Sequence, residues 1–432
     1  MGIPGLTGLL KRHAPRSLTR TFTHDYRGQT MAIDVSCPLN RFIYGNDPHP
    51  FPHLQGFFLL TKYCERHDIR LIFVFDGTKR LPAKQWELNR RARGHSKIKA
   101  SLVFEQSRAT RLAAWLQADL TLVDDTLAAH LAGTAADSEQ VSALARLAQE
   151  LHCTHQSVQD RAMYTKTVRD LSDQEYEVME AMILQRSESV QDKVAALIRQ
   201  NERLLVSYGK RARRITNVIK RQTYDFLTAL GYPCITCENH EAEALCVNLV
   251  LHGKADAIVS EDMDTIVFGD SRLLRHFFMK NKPILQVDPM VARQQLGLTK
   301  AQFLDLCILC GTDFGPKIAG VGPTRALQLV RQHGSIEEIL IHLDPRKYIP
   351  EQGFDYRRIR QVFQELPKIP LDAMTTPPAD TLEGLLERYQ LDPDEIDDQV
   401  DLIMHLDHKN PAGFGNDPFN SLSNRNTGPL FT

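Results

Sequence analysis

Three short apolar segments, each ending in carboxylates, constrain the fold of this chain more than any other feature. They are residues 30–36 (TMAIDVS), 70–76 (RLIFVFD) and 255–262 (ADAIVSED). Buried strands of a parallel sheet have this composition, and helical stretches separate the three segments. We therefore predict an α/β fold with a mostly parallel central sheet flanked by helices. Asp34, Asp76 and Asp262 then lie at the carboxyl ends of strands, where open sheets bind ligands.

Four further acids could join this cluster. Glu241 and Glu243 begin an apolar helical stretch in the segment HEAEA, and Asp264 completes the segment EDMD. Asp313 follows an apolar helical stretch, within GTDF. Clustered carboxylates raise one another's pKa values unless a cation neutralises them. Mg²⁺ favours oxygen ligands, and two such ions ~4 Å apart can activate water and stabilise the leaving oxygen of a phosphodiester. Taken singly, each acid is more often a solvated loop residue or a helix cap.

Basic residues are concentrated in two segments, although the formal net charge of the chain is −1. Residues 79–111 hold ten Lys or Arg against two acids, and residues 203–221 hold seven and no acid. Such blocks attract polyanions, and each neutralised phosphate releases a counterion. A solvated helix face has the same composition, and residues 210–214 would also suit a localisation signal. Charge alone leaves nucleic-acid binding and these alternatives open.

Composition excludes two classes of protein. With 42% hydrophobic and 24% charged residues, the chain is not disordered throughout. No apolar run approaches the ~18 residues of a membrane-spanning helix, so we expect no membrane partner.

Two CxxC pairs, at 234–237 and 307–310, would permit a zinc site. The second pair lies on one face of an apolar helix, however, where free cysteine is commonly a small core residue.

Eight motifs together resemble the flap endonuclease/XPG superfamily of structure-specific 5′ nucleases. In chain order they are MGIPGL at 1–6, AIDVS at 32–36, VFDG at 74–77, KQWELNRR at 84–91, EAEA at 241–244, EDMD at 261–264, DLCILCGTD at 305–313 and GVGPTRA at 320–326. Their order is far more specific than any one motif. The resemblance covers residues 1–93 and 215–342, about half of the chain. It implies a PIN-like nuclease core with a helical cap insertion and a helix–two-turn–helix DNA-binding element.

The resemblance also implies a catalytic centre. Two Mg²⁺ or Mn²⁺ ions would be held, some through water, by Asp34, Asp76, Glu241, Glu243, Asp262, Asp264 and Asp313. Lys84 and Arg91 would reach the scissile phosphate and stabilise the charge that develops on it. Together with Lys84 and Arg91, the catalytic residues would be Asp34, Asp76, Glu241 and Asp262. The reaction would be hydrolysis near a junction of single- and double-stranded DNA, leaving a 5′ phosphate and a 3′ hydroxyl.

DNA contacts are implied at three places. The residues are Gly2, Arg90, Arg93, Lys97, Lys317, Gly320, Gly322, Thr324 and Arg325. Glycines in the Gly320–Pro323 loop let the backbone approach a phosphate closely, although an ordinary tight turn would use the same residues. In related proteins this loop carries a K⁺ ion through backbone carbonyls. The first 24 residues hold four basic residues and no acid, like a mitochondrial transit peptide. The match at Gly2 counts against cleavage of such a peptide, because cleavage would remove the matching segment.

We expect five regions along the chain. They are an N-terminal nuclease region (1–100), a helical cap (101–214), an internal nuclease region (215–300), a helix–two-turn–helix region (301–366) and an acidic C-terminal extension (367–432). Ser172–Glu175 reads as a capping box that opens a long helix, and residues 138–151 have a helical apolar face. A helical patch is expected near 380–390, and the last 24 residues have the composition of a disordered tail.

The chain departs from the family pattern in three respects. Asn40 stands where flap endonucleases usually carry a tyrosine that stacks on a base, and Phe42 or Tyr44 could substitute for it. The cap is longer than in flap endonucleases. No sliding-clamp peptide is recognisable near the C-terminus, where Leu430–Phe431 is too short a match.

The function predicted is metal-dependent cleavage of 5′-flapped or otherwise branched DNA in replication or repair. We expect a monomer inside the cell, in the nucleus or in the mitochondrion. Two alternatives remain: a catalytically silent DNA-binding or scaffold relative, and a 5′ exonuclease or four-way-junction resolvase of the same superfamily. Seven mutually repelling carboxylates argue against a protein that only binds phosphate.

Overall fold

The computed structural model describes residues 2–45, 47–79, 81–117, 132, 143–160, 163–183, 190–279, 282–370 and 382–409. These residues form two compact units. The core unit comprises residues 1–88 and 215–432, and the insertion unit comprises residues 89–214. Of the last 24 residues, for which a tail is predicted, residues 410–432 lie outside the described residues.

Seven strands and seventeen α-helices are present in the described residues. The strands are β1 (Leu18–Thr21), β2 (Thr30–Asp34), β3 (Arg70–Asp76), β4 (Cys234–Cys237), β5 (Ala257–Val259), β6 (Leu273–Arg275) and β7 (Ile284–Val287). The helices are α1 (Leu6–His13), α2 (Ser36–Tyr44), α3 (Pro52–Arg66), α4 (Gln85–Gln117), α5 (Ala143–Val158), α6 (Lys166–Ile183), α7 (Val190–Ala212), α8 (Asn217–Ala229), α9 (Ala242–Leu251), α10 (Thr265–Phe268), α11 (Pro289–Leu296), α12 (Lys300–Cys310), α13 (Pro323–His333), α14 (Ile336–His342), α15 (Tyr356–Gln364), α16 (Leu382–Arg388) and α17 (Pro393–Lys409). Three short 3₁₀ helices lie at Pro15–Ser17, Thr23–Tyr26 and Pro82–Lys84.

One sheet organises the core unit, with strand order β1-β7-β6-β5-β2-β3-β4. The four pairings among β6, β5, β2, β3 and β4 are parallel, whereas β7 runs antiparallel to both β6 and β1. The predicted α/β fold is confirmed, and the sheet is a mixed one with an antiparallel edge. Helices α9 and α12 pack on one face of the sheet, and α3, α8 and α17 pack on the other.

The two faces explain the apolar runs in the sequence. Along β3, Ile72 and Val74 enter one hydrophobic cluster while Leu71 and Phe73 enter the other. A strand covered on both faces needs apolar side chains at every position, because successive side chains point to opposite faces. Both strands are therefore apolar between their first residues, Thr30 and Arg70, and their last residues, which are acids. The third segment forms a shorter strand than expected, since β5 ends at Val259.

The acidic C-terminal extension holds more helix than predicted. The expected patch near 380–390 is confirmed as α16, but α17 follows it and was not predicted. Ile396 and Val400 of α17 are buried in the cluster that contains α3. Arg66 at the end of α3 also pairs with Asp397, at 3.1 Å, and with Asp401. Part of the acidic run thus meets a basic residue of the core unit.

The insertion unit is helical, with apolar residues of α4, α5, α6 and α7 forming its own cluster. The helical face predicted within 138–151 is confirmed from Ala143 onward. The capping-box prediction is wrong, because α6 begins at Lys166 and Ser172 lies buried inside it. Glu175 is fully buried and binds Arg108 and Arg111 instead. Among the helices of the described ranges, none is both long and apolar enough to cross a membrane.

Candidate metal centre

Carboxylates from separate elements meet at the carboxyl end of the sheet. One oxygen each from Asp76, Glu241 and Glu243 lie within 4.8 Å of one another. Asp76 ends β3, while Glu241 caps the N-terminus of α9 and Glu243 lies in the first turn of that helix. The backbone N–H of Ala242 donates to Oδ1 of Asp76 at 3.3 Å. The turn into α9 therefore fixes three oxygen ligands around a volume the size of a small cation.

Asp34 lies beside this group and is held by three residues. The Ser36 backbone N–H donates to Oδ1 of Asp34 at 3.0 Å, and the Ser36 hydroxyl donates to Oδ2 of Asp76 at 2.8 Å. The Cys37 thiol and the Ser260 hydroxyl donate to Oδ2 of Asp34, at 3.1 and 3.0 Å. Ser36 thus links the ends of β2 and β3, and Ser260 links β2 to the loop after β5.

The loop after β5 supplies two more acids. The Asp264 backbone N–H donates to Oδ1 of Asp262 at 3.0 Å, and the Asp262 N–H donates to the Ser260 hydroxyl at 3.1 Å. Asp262 and Asp264 are both buried. Oδ1 of Asp264 is buried with no hydrogen-bond partner among the described residues. Buried oxygens in native proteins are nearly always paired, so this atom is suited to bind a cation or its water.

The pKa values show how strongly the acids interact. Burial, and then the charge of Asp76, raise the pKa of Asp34 to about 7. Burial, followed by the charges of Asp34, Asp262 and Asp76, raises the pKa of Glu243. Burial, followed by Asp262 and Asp313, raises the pKa of Asp264.

The structure therefore brings together all seven acids named from the sequence. Without a metal ion, burial and the neighbouring acids make these carboxyl groups resist ionisation. A divalent cation would remove that penalty, so the residues fit the implied metal.

Lys84 reaches the same cluster from the short helix before α4. Its ammonium donates to Oε2 of Glu241 and lies 5.7 Å from the centre of the Phe314 ring. Burial alone would lower the pKa of Lys84, but Glu241, Glu243 and Asp76 outweigh burial and raise it. Lys84 is therefore a positive charge fixed beside the carboxylates. A phosphate bound there could replace Glu241 as the partner of the Lys84 ammonium.

The N-terminal segment touches both the acids and the Gly320–Pro323 loop. The backbone at Gly2 has φ of +80°, and a Cβ there would lie 2.9 Å from the backbone nitrogens of Met263 and Asp264. Gly5 has φ of +72°, and a Cβ there would lie 2.6 Å from Cγ of Pro323. Only glycine fits at these two places.

The predicted helix–loop–helix of residues 300–340 is confirmed as α12 and α13. In the connecting loop, Gly320 has φ of +82°, and a Cβ there would lie 3.2 Å from the carbonyl oxygen of Lys347. Gly322 caps α13. Lys317, Thr324 and both glycines are exposed. Arg325 is half-buried, with its guanidinium 5.6 Å from the centre of the Tyr348 ring.

The remaining basic residues named from the sequence lie in the insertion unit. Arg90, Arg91 and Arg93 are exposed, and Lys97 is partly exposed, along α4. The predictions that Arg91 acts with Lys84 and that its neighbours bind DNA stay predictions.

Sequence reasoning missed the residues that orient the carboxylates. These residues lie in or next to the acidic motifs: Ser36 ends AIDVS, Cys37 follows it, and Ser260 precedes EDMD. Their ability to donate hydrogen bonds was the signal that could have found them. Phe42 is buried, with its ring 5.2 Å from that of Phe57, so the proposed substitution for the missing tyrosine is wrong for Phe42. Tyr44 is 36% exposed and remains a candidate for stacking.

The two CxxC pairs do not form a metal site. Cys234, Cys237, Cys307 and Cys310 are free and buried. Among the described residues, the only grouping of three or more potential metal ligands is the acidic one.

Fold and site define an α/β protein whose clustered carboxylates and adjacent lysine suit metal-assisted chemistry on a phosphate. Residues 1–98 match the XPG N-terminal domain, and residues 231–313 match the XPG I-region. Flap endonuclease 1-B of Physcomitrium patens is 33% identical over 240 residues, which cover 54% of this chain and 68% of that protein. The chain belongs to the flap endonuclease/XPG superfamily of structure-specific 5′ nucleases.

Two further comparisons extend beyond these motifs. Flap endonuclease 1-B of Oryza sativa subsp. indica is 28% identical over 436 residues, covering 96% of this chain and 82% of that protein. The catalytic core of Rad2, solved in complex with a DNA substrate, superposes with a TM-score of 0.52 at 16% identity, covering 92% of this chain and 98% of that one. This likeness shows a shared fold over nearly the whole chain.

Proposed function

We propose that the protein hydrolyses a DNA phosphodiester near a single-strand/double-strand junction, with 5′ flaps as its main substrate and two Mg²⁺ or Mn²⁺ ions as cofactors. The convergence of seven acids with Lys84 at one edge of the sheet carries this proposal. A protein that only bound DNA would have no use for buried carboxylates that repel both one another and phosphate. The relatives named flap endonuclease support the choice of a flap as substrate.

Bound divalent ions would lower the pKa of a water and stabilise the charge on the departing oxygen. The chain's own residues do the rest. The ligands would come from the seven acids, which are Asp34, Asp76, Glu241, Glu243, Asp262, Asp264 and Asp313. Ser36 keeps Asp34 and Asp76 in a fixed relation through its two hydrogen bonds. Lys84, which pairs with Glu241, would donate to a nonbridging oxygen of the scissile phosphate.

Phosphates farther from the cut would meet the helix–two-turn–helix element. The exposed Gly320–Pro323 loop leads into the N-terminus of α13, where backbone N–H groups favour an anion. Lys317, Thr324 and Arg325 surround that terminus, and a K⁺ ion held by loop carbonyls is part of the proposal. Arg90, Arg93 and Lys97 would bind the strand along α4, and the catalytic role expected of Arg91 stays a proposal. We expect this activity in the nucleus, with the mitochondrion as the alternative.

The test is cleavage of a labelled 5′-flap DNA with Mg²⁺, with Mn²⁺ and with EDTA. We expect turnover only with metal, and a loss of at least 100-fold in Asp262→Asn. Asp225→Asn is the matched control, since Asp225 forms an exposed pair with Arg221 on α8. Undiminished cleavage by Asp262→Asn would overturn the site. Nicked duplex and four-way junctions in the same panel separate a flap endonuclease from an exonuclease or a resolvase. Flap binding with no turnover in either metal would favour a catalytically silent relative.

A further inference from the structure

A small cavity of about 210 Å³ lies in the core unit next to the metal centre. Trp86, in the first turn of α4, forms one wall, and Phe314, Pro316 and Ile359 contribute apolar surface. Gly315 and Gly353 also line the cavity and leave their parts of the wall without side chains. A Cβ at Gly315 would lie 2.9 Å from Cδ1 of Ile359. The result is a slot with two aromatic side chains, Trp86 and Phe314, in its wall.

Trp86 is 41% exposed, unlike the other tryptophan, Trp115, which is 2% exposed. An indole left accessible at the mouth of a cavity is suited to stack on a flat ring. A 210 Å³ space is smaller than the ~300–1,000 Å³ of typical small-molecule pockets, so it suits a single planar group.

The polar residues at the cavity indicate what kind of planar group would fit. Gln85, Asp355 and Arg358 line it, and all three are exposed. The carboxylate of Asp355 caps α15 by accepting from the Arg358 backbone N–H at 3.1 Å. One negative and one positive side chain give no net attraction for a phosphate. Together with an amide they supply both donors and acceptors, as the edge of a nucleobase requires.

The cavity also lies at the right place for a substrate of the metal centre. Phe314 directly follows Asp313 and lies beneath the ammonium of Lys84, 5.7 Å from ring centre to nitrogen. Ala83, the residue before Lys84, lines the cavity too. Phe314 therefore contacts both the slot and Lys84, the lysine that pairs with Glu241 of the carboxylate cluster. A nucleotide whose phosphate met Lys84 could turn its base toward the slot.

We propose that this cavity receives the nucleobase of one nucleotide beside the scissile phosphate, stacked on Trp86 with its edge toward Arg358. The proposal rests on the proposed function and adds to it a base-binding subsite in the single-stranded part of the substrate. A base held there would be withdrawn from its duplex, so the subsite would also favour substrates whose junction already frays. Aromatic stacking tolerates every base, and we expect little sequence preference.

The first test scans a 5′-flap substrate with single abasic nucleotides on both sides of the cut. For the wild type we expect one position at which loss of the base reduces kcat/KM by about 5- to 100-fold. Trp86→Ala should cleave the intact flap more slowly by a similar factor and should no longer distinguish the abasic substrate. Trp86→Phe should retain much of the discrimination. An abasic penalty that is the same in wild type and in Trp86→Ala would overturn the subsite while leaving the nuclease intact.

Arg358 offers a matched control on the same helix. Arg357 is exposed, does not line the cavity and lies over Tyr356, with its guanidinium 5.2 Å from the ring centre. Arg358→Ala and Arg357→Ala remove the same charge, so both weaken general attraction to DNA equally. Only Arg358→Ala should reduce the abasic penalty. Equal abasic penalties in the two variants would count against the proposed edge contact.

Fluorescence tests the subsite without turnover. Trp86 and Trp115 are the only two tryptophans, so Trp115→Phe isolates the emission of Trp86. In EDTA, an intact 5′-flap DNA should quench this emission, whereas the flap that is abasic at the sensitive position should quench it far less. If nuclease activity is absent but this difference persists, the proposed function fails and the subsite stands. Equal quenching by the two DNAs, tested at every scanned position, would refute the subsite.

Discussion

A Cβ atom at Gly2 would overlap Oδ1 of Asp262, the carboxylate that accepts the backbone N–H of Asp264. The φ of +80° at Gly2 adds strain for any other residue. The second residue of the chain thus limits where Asp262 and the rest of the β5 loop can lie. A sequence comparison would register Gly2 only as part of an N-terminal motif. In the structure, Gly2 is part of the candidate metal centre.

We predict that Gly2→Ala reduces kcat on a 5′ flap by tenfold or more. The added methyl must displace Asp262, and small errors in ligand placement cost a large share of the rate. The φ of +80° also costs alanine ~1–2 kcal/mol, so the free energy of unfolding should fall by a similar amount. Steady-state kinetics and a denaturant titration measure the two effects.

Gly8→Ala is the control for this prediction. Gly8 lies on the exposed face of α1, and a Cβ there meets nothing within 4 Å. Alanine should stabilise that helix by up to ~1 kcal/mol and leave cleavage unchanged. Equal activity in Gly2→Ala and Gly8→Ala would show that the contact with Asp262 does not matter for catalysis.

The positions of Asp34 and Asp76 could be predicted because strand and acid are adjacent in the chain. A strand buried on both faces is apolar at every position, so its end is visible as the first charge. Glu175 illustrates the opposite case. The pattern Ser-x-x-Glu suits a helix cap, but it does not reveal that Arg108 and Arg111 lie across the insertion unit to bind the same carboxylate. Such pairing depends on tertiary contacts that local sequence does not encode.

Helix α17 shows a second limit. Its many acids resemble a solvated segment, and the buried apolar residues among its described side chains, Ile396 and Val400, lie only one helical turn apart. Their partners lie on α3, more than 300 positions earlier in the chain. The orienting hydrogen bonds of Ser36 and Ser260 were hidden for the same reason, because each serine bonds a carboxylate on another element.

The acid cluster should make the metal-free protein less stable than its fold allows. Glu243→Gln replaces a carboxyl group whose ionisation burial and the neighbouring acids oppose. In EDTA, at a pH where the wild-type group is ionised, we expect a higher Tm for the variant, by about 2 °C for each kcal/mol of relieved repulsion. Mg²⁺ at 100 times its Kd should stabilise the wild type by ~2.7 kcal/mol, and the variant should gain less.

Differential scanning fluorimetry with and without Mg²⁺ measures both quantities. Glu387→Gln, an exposed change on α16, should alter neither. A Glu243→Gln protein that is less stable than the wild type in EDTA would contradict the repulsion argument.

The buried ion pairs of the insertion unit should be costly to break. Glu175 accepts from Nε of Arg108 at 2.8 Å and from Nε of Arg111 at 3.0 Å, and all three side chains are buried. Glu175→Gln leaves the buried Arg108 with Glu105 alone, and Arg111 with the exposed Glu150 at 3.8 Å. Breaking a buried ion pair typically costs ~3–5 kcal/mol. We expect faster limited proteolysis within residues 89–214. Glu177→Gln, an exposed change on the same helix, should leave the rate unchanged. Equal proteolysis of the two variants would mean that water or another residue compensates the lost charge.

His53 should make stability depend on pH in a defined window. Its side chain is 3% exposed, and burial lowers its pKa to about 4. An unfolded histidine, with a pKa near ~6.5, binds a proton that the folded one refuses, so the unfolded state takes up more protons between these values. The free energy of unfolding must therefore fall as pH drops from about 6.5 to about 4, by at most ~3 kcal/mol from this residue.

Urea titrations at several pH values should show that His53→Gln flattens this slope relative to the wild type. His24, whose side chain is 68% exposed, provides the control, and His24→Gln should preserve the slope. Carboxylates contribute to the pH dependence of all three proteins, so the difference between the two variants isolates His53. Parallel curves for His53→Gln and His24→Gln would show that His53 accepts a proton without leaving the core, by a rearrangement of α3.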